Sequence, residues 1–456
     1  MDESHRQADV IVIGMGIGGE AVAGTLAEQG LDVIGVDANL VGGECPYWGC
    51  IPSKMMIRAA NMLAEARRIP GHAGLSTVDP DWAPVATRIR EQATDNWNDQ
   101  VAVDRFVDKG GRFVRGHAVI EGPGQVSVDG ATYEAGTGIV VAIGTEPAVP
   151  PIPGLADVDY WTNREAIQVT ELPASLIVLG AGAIGSELSQ VFARFDVEVT
   201  IVEALDRLLP LEEPEAGDLL ADTFAAEGIA VHTGVRAQSV ASDDAGIRVT
   251  LDDGTVVVAE RLLVATGRRT DLAGLGWANV GLDDSARFAD VDDQLRVRGV
   301  DGIWAVGDIT GEGLFTHVAA YQAPIAVASI MDHPGEGADY RALPRVTFTD
   351  PEVGSVGLSE AAAREAGLRV TAVTQMVPHS ARGWLHGPGN EGFVKLVIDT
   401  DRQVVVGATS AGPHGGEVLG LLTLAVHAEV PVAVLRSMIY AYPTLHRAIE
   451  DALDQL

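Results

Sequence analysis

Val10-Ile11-Val12-Ile13-Gly14-Met15-Gly16-Ile17-Gly18-Gly19 is an apolar run that breaks into glycines. Four β-branched residues without polar alternation read as a strand buried on both faces. The glycines read as a tight turn. Glu20 to Gln29 reads as a helix stopped by Gly30, and Leu31 to Val36 as a second strand closed by Asp37. The same order returns further on: strand Leu176 to Leu179, turn Gly180-Ala181-Gly182-Ala183-Ile184-Gly185, helix Ser186 to Phe195, strand Val197 to Val202, then Glu203. Two βαβ units of the dinucleotide-binding kind, 166 residues apart, exclude a single doubly wound domain.

A lone Gly-x-Gly-x-x-Gly carries little weight. Here each copy follows a buried strand, opens a helix and is followed by an acidic residue at the end of the next strand, which is the context the chemistry requires. Gly14 and Gly180 allow the turn. Gly16 and Gly182 let the backbone approach a pyrophosphate, and Gly19 and Gly185 let the helix pack closely. The helix N-terminus offers N–H donors to the phosphates, and Asp37 or Glu203 accepts from a ribose hydroxyl. A carboxylate at Glu203 repels the 2′-phosphate of NADPH, so NADH is the expected donor; Asp206 adds to the repulsion and Arg207 partly opposes it.

Both cysteines of the chain lie in Gly42-Gly43-Glu44-Cys45-Pro46-Tyr47-Trp48-Gly49-Cys50-Ile51-Pro52-Ser53-Lys54. Four intervening residues can close a small loop at disulfide distance. Residues five apart align poorly on a regular helix, so Cys45 is expected before the helix proper. A helix N-terminus favours thiolate, and Pro52 suits a first turn. Two inert thiols or a zinc site are the alternatives, and zinc lacks a second cysteine pair.

With 456 residues, 47% of them apolar, the chain is long enough for two to four domains. The net charge of −33 opposes nucleic-acid binding. Only three of the 31 basic residues are lysines: Lys54, Lys109 and Lys395. No apolar run of membrane-spanning length or signal-peptide core is present, so a cytoplasmic protein is expected. Prolines from Pro147 to Pro153, a shift near Thr270 and the stretch His333 to Pro344 mark boundaries. Beyond them, Phe393 to Ile398 and Val404 to Ala408 read as antiparallel strands, and Glu417 to Ala428 and Thr444 to Leu456 as helices.

The cysteine segment resembles the Gly-Gly-Thr-Cys-x4-Cys-x-Pro-Ser-Lys motif of the class I pyridine nucleotide–disulfide oxidoreductases, in the dihydrolipoamide dehydrogenase and mercuric reductase branch. The resemblance covers essentially the whole chain. Ala142-Ile143-Gly144-Thr145 and Ala265-Thr266-Gly267-Arg268 resemble the family's two Ala-Thr-Gly segments. Ala305-Val306-Gly307-Asp308 resembles its flavin-binding Gly-Asp motif, and Phe348-Thr349-Asp350-Pro351-Glu352-Val353-Gly354 the opening of its dimerisation domain. The resemblance implies an α/β chain with two Rossmann-like dinucleotide-binding domains and a C-terminal α+β dimerisation domain. The divisions are 1–149 for FAD with the redox cysteines, 150–271 for NAD(P), 272–340 for the central FAD-binding part and 341–456 for dimerisation.

It further implies FAD at Gly14, Gly16, Gly19, Asp37, Gly43, Glu44, Ala142, Gly144, Gly307, Asp308 and His317, and NAD at Gly180, Gly182, Gly185, Glu203 and Gly267. Cys50 would face the flavin and Cys45 would exchange with substrate. Lys54 would approach the flavin, paired with Glu187. Two departures stand out. Glu44 replaces the family's Thr, and the C-terminal His-x-His-Pro-Thr reads Tyr440-Ala441-Tyr442-Pro443-Thr444, with Arg447 at the position of the Glu that orients the catalytic His. In a homodimer each active site would be completed by the partner's Tyr440 and the partner's Tyr442. The expected activity is electron transfer from NADH through FAD to the Cys45–Cys50 disulfide and on to an unidentified small-molecule acceptor. Dihydrolipoamide dehydrogenase, metal-ion reductase, direct quinone reductase and a redox-sensing flavoprotein are the alternatives.

Overall fold

The computed structural model describes residues 6–456. The chain forms two compact units, Met1–Pro52 with Thr87–Ala148 and Arg268–Tyr340, and Ser53–Ala86 with Val149–Gly267 and Arg341–Leu456. Residues 53–86 belong to the second unit, which holds both the second nucleotide-type sheet and the C-terminal sheet. Trp82 shows why the segment belongs there. Its indole Nε1 donates to the Val169 carbonyl at 2.9 Å, and its ring packs on Phe192 and Phe195 at 5.9 and 5.0 Å.

In the first unit, the parallel strands run in the order Arg112–Arg115, Val33–Asp37, Gln7–Ile13, Ala131–Val141, Ile303–Ala305. Ala131–Val141 is long enough to serve two partners. Its first residues pair antiparallel with Gln125–Val128, which continues to Ala118–Gly122. Its last residues lie between Gln7–Ile13 and Ile303–Ala305. Side chains alternate across a strand, so Val10 and Val12 face a core shared with Val22 and Leu26 of helix Ile17–Glu28. Ile11 and Ile13 face the opposite core, with Leu275, Trp277 and Ile309. Both faces are covered, as a parallel sheet requires.

The second unit holds a parallel sheet in the order Ala230–Thr233, Glu198–Glu203, Ser175–Leu179, Arg261–Val264, and an antiparallel meander of Ala237–Asp243, Gly246–Leu251 and Val256–Ala259. Its five-stranded antiparallel sheet runs Pro344–Thr347, Glu352–Gly357, Val404–Gly412, Phe393–Asp399, Val370–Met376. Helices Gly415–His427 and Arg447–Leu453 cover it through Leu419, Leu422, Ile449 and Leu453 against Val394, Leu396 and Ile398. Lys395 is buried there between Glu213, Glu215 and Glu360 at 3.1, 2.7 and 3.1 Å. No helix among the described residues is long and apolar enough to cross a membrane.

Candidate active site

The two glycine turns have matching construction. At Gly14 a Cβ would lie 2.4 Å from the Ala142 oxygen, and at Gly180 2.4 Å from the Ala265 oxygen; both residues have positive φ, +90° and +101°. Cβ atoms at Gly19 and Gly185 would meet the oxygens of Gly14 and Gly180 at 1.9 and 2.0 Å. The middle glycines are different: Gly182 has nothing within 4 Å, and Gly16 meets only the Gly43 Cα at 3.9 Å. Each therefore leaves an open approach at the N-terminus of a 12-residue helix, the geometry that a pyrophosphate needs. The acidic residues clasp these turns. Asp37 accepts the N–H groups of Met15 and Asn39, both at 2.7 Å, and Glu203 those of Ala181 and Leu205 at 2.7 and 2.8 Å. A carboxylate has about four acceptor positions, which leaves room for a ribose hydroxyl on each. Burial pushes the Asp37 carboxyl up, against the pull of its two backbone donors. Arg207 is engaged locally by Asp206 at 3.5 Å and the Pro210 carbonyl at 3.1 Å, so much of its charge is already answered.

The cysteine loop lies beside the first turn. Gly42 donates its N–H to the Met15 carbonyl at 2.7 Å, and a Cβ at Gly43 would come within 2.9 Å of the Gly16 Cα. Cys45 sits in the short helical turn Glu44–Tyr47, and Cys50 opens the separate helix Cys50–Arg68, with Lys54 one turn further along. The cysteines are present as thiols, Cys45 half-buried and Cys50 exposed. The hydrogen bond to Cys50, together with burial, pushes the Cys45 thiol up. Thr316, the first residue of helix Thr316–Ile330, places its hydroxyl 3.4 Å from Cys50 Sγ. His317 follows it, stacked on Phe315 at 5.1 Å.

Asp308 is held in the same unit. Thr145 donates its hydroxyl to Asp308 at 2.7 Å and accepts from Arg268 Nε at 2.7 Å; Arg268 also lies 3.9 Å from Glu44. Burial pushes the Asp308 carboxyl up, Thr145 and Arg268 pull it down, and Glu44 pushes it up. Gln322 fixes the turn before it, accepting the Gly307 N–H at 2.6 Å and donating to Thr310 at 3.0 Å. Gly144, with φ +65°, and Gly267, with φ +122°, have nothing within 4 Å of a built Cβ, whereas Gly307 would meet Ala319 at 3.4 Å. Ala142 donates its N–H to Ile13 at 2.7 Å.

Within the second unit Lys54 donates to Glu187 at 2.8 Å, and its ammonium lies 4.6 Å from the centre of the Phe348 ring. The other Glu187 oxygen accepts the Phe348 N–H at 2.8 Å. Tyr440 and Tyr442 part company. Tyr440 is buried in the C-terminal core, donates to the Leu435 carbonyl at 3.2 Å, and has its phenol pushed up to about 12 by burial and then by Glu450. That is a packing position, with no hydroxyl offered outward. Tyr442 is 70% exposed, its ring 5.5 Å from the Arg447 guanidinium. His446 stands at the N-cap of helix Arg447–Leu453 without a side-chain cap bond.

The profile of the family described as pyridine nucleotide-disulphide oxidoreductase matches residues 8–323, and that of its dimerisation domain matches residues 343–453. The chain is a pyridine nucleotide–disulfide oxidoreductase. Such an oxidoreductase uses FAD and a pyridine nucleotide, and the open glycine turns fit both. Similar proteins include a dihydrolipoyl dehydrogenase of Chlorobaculum tepidum, 35% identical over 99% of this chain and 97% of that protein. A mercuric reductase of Streptomyces lividans is 32% identical over the same shares. Among solved structures, a Cu(II) complex of a cysteine-to-serine mutant of the HOCl-induced flavoprotein disulfide reductase RclA from Escherichia coli has a TM-score of 0.87 at 25% identity, over 99% of this chain and 100% of that one. LpdA from Mycobacterium tuberculosis has 0.86 at 27%, over 98% and 99%. For this oxidoreductase, sequence reading missed the contacts of Thr316 with Cys50 and of Phe348 with Glu187, which cross 266 and 161 residues.

Proposed function

We propose that the protein passes electrons from NADH through FAD to the Cys45–Cys50 disulfide and then to an acceptor that needs no proton from the protein, foremost a thiophilic metal ion such as Cu(II). The observation that carries this reading is Tyr442, exposed before Pro443 with Arg447 against its ring, where the family resemblance calls for a His and its Glu. The Cu(II) complex of the structurally similar RclA supports the metal. FAD, when bound, converts the two-electron hydride of NADH into electrons that the cysteines can take. The chain's residues do the rest. Thr316 places its hydroxyl against Cys50, and Lys54, fixed by Glu187, places a positive charge one turn beyond Cys50. Two Cu(II) ions taking one electron each would return the dithiol to the disulfide, with two protons released and two Cu(I) formed.

Anaerobic titration with NADH followed by Cu(II) tests the sequence of events. In the two-electron-reduced protein, the Cys50 thiolate beside the bound flavin should give long-wavelength absorbance. That absorbance should vanish in Cys50→Ser and persist in Cys45→Ser. Its survival in Cys50→Ser would reverse the roles of the two sulfurs.

NADH preference follows from Glu203, which is buried at the end of its strand with its side chain already oriented by two N–H donors. Carboxylate–phosphate repulsion at ~4 Å is on the order of a few kcal/mol at effective dielectric ~20. Flavin reduction should therefore be roughly tenfold or more faster with NADH than with NADPH. Comparable rates in stopped-flow would show that Glu203 does not control the choice.

A further inference from the structure

Residues 89–99 of the first unit take an unusual course. Ile89–Ala93 is a π-helical turn, closed by the Thr94 N–H on the Ile89 carbonyl at 3.0 Å and by the buried Thr94 hydroxyl on the Ile89 and Arg90 carbonyls, both at 3.1 Å. Asp95, Asn96 and Trp97 then follow with φ of +46°, +56° and +56°. Three successive non-glycine residues in the left-handed region are rare, and a tryptophan there is rarer still. Such backbone persists where surrounding contacts hold it, often at functional sites. Here the contacts lead to the cysteine loop. The Trp97 indole Nε1 donates to the Tyr47 carbonyl at 3.3 Å. Asp99, also buried, accepts the Val41 N–H at 2.7 Å and pairs with Arg115. Tyr47 ends the Glu44–Tyr47 turn that carries Cys45, so its carbonyl has no helical successor to bond.

We propose that Trp97 is a positioning residue for the redox loop: by holding the Tyr47 carbonyl midway between Cys45 and Cys50, it stabilises the dithiol form and raises the reduction potential of the pair. The proposal rests on the reading of these cysteines as a reversible disulfide. Oxidation joins the two sulfurs and releases two protons and two electrons, closing a ring through the four residues between them, Tyr47 among them. A hydrogen bond made in the dithiol geometry favours that state by its differential strength alone. One neutral hydrogen bond shifts an equilibrium by about three- to tenfold.

The test is a redox titration of the FAD-loaded protein in dithiothreitol buffers, in which oxidised dithiothreitol takes up the two electrons and two protons. The thiol fraction is read by alkylation and mass. Trp97→Phe, which keeps a ring and removes the donor, should lower the potential of the pair by ~14–30 mV, the equivalent of three- to tenfold at 29.6 mV per decade. Trp97→His, which retains an N–H donor and tolerates positive φ, should stay closer to the wild type. Trp82→Phe, which removes an indole donor bonded to Val169 in the other unit, should leave the potential unchanged. Trp97→Leu removes the same donor without adding another and carries the test should the phenylalanine variant not fold. An unchanged or raised potential in the donor-less variants, or an equal shift in Trp82→Phe, overturns the role of Trp97. A wild-type protein that shows no reversible disulfide at all instead overturns the redox-pair reading itself.

Discussion

Replacing Arg194 with Met should destabilise the second unit by ~3–5 kcal/mol, the range for removing one partner of a buried ion pair. Arg194 is 2% exposed. Its guanidinium bonds Glu227 at 2.5 and 3.0 Å, Asp350 at 2.8 Å and Asn61 at 2.6 Å. Met fills similar volume but leaves two carboxylates without this partner, and their desolvation is then uncompensated. Asp350 retains Arg68 at 2.7 Å, which caps the loss. The effect reaches the site because Glu187, Gln190 and Arg194 lie on one helix and hold successive parts of the Phe348–Asp350 segment. Urea unfolding at fixed protein concentration measures the change, and Arg194→Lys should recover only part of it, since an ammonium cannot reproduce the fork. A loss below about 1 kcal/mol would mean that the cluster relaxes or admits water, contrary to the low exposure described.

Lipoamide should be a poor acceptor, and Cu(II) a better one, by a factor on the order of 10²–10⁴. That is the usual contribution of a positioned histidine to proton transfer. Reducing a disulfide substrate releases a thiolate that must be protonated; reducing a metal ion does not. A phenol, unlike an imidazole, is a weak acid–base catalyst at neutral pH. Tyr442→Phe should leave Cu(II) turnover almost unchanged. Tyr442→His should raise lipoamide turnover only modestly, because Arg447 cannot accept the imidazole proton and orient the ring as a Glu would. Steady-state rates with the two acceptors decide the matter. Efficient lipoamide reduction by the unmodified protein would sink the proposal and make His446 the first residue to replace.

The features legible in the sequence are those written in local pattern. Glycine spacing, an acidic residue at a strand end and two cysteines five apart each lie within a few turns of chain. From them follow the two nucleotide turns and the placement of Cys45 outside the cysteine helix. The Lys54–Glu187 pair crosses 133 residues and was readable only through family resemblance. What escaped has no local signature. Thr316 is an ordinary helix-opening residue until Cys50 is folded against it. Trp82 carries no sign that residues 53–86 pack with Phe192 and Phe195. Tyr440 and Tyr442 sit in an irregular stretch without periodicity, so nothing indicated that one faces the core and the other solvent. Pattern alone points Asp37 and Glu203 to ribose; the fold shows each serving its own turn, where two backbone donors require an acceptor.

The three lysines have a consequence for covalent tagging. Acylating reagents attack the uncharged amine, and every lysine amine here lies against a carboxylate: Lys54 by Glu187, Lys109 by Glu28 at 3.4 Å and Lys395 by three glutamates. Burial alone would lower Lys395, but Glu215, Glu213 and Glu360 hold its ammonium well above the ordinary lysine range, and it is sealed from solvent. Amine-directed labels are thus confined, among the lysines, to Lys54 and Lys109. An acyl group on Lys54 would cancel the charge that Glu187 answers, so a labelling scheme meant to leave the chemistry intact is better aimed at the abundant carboxylates.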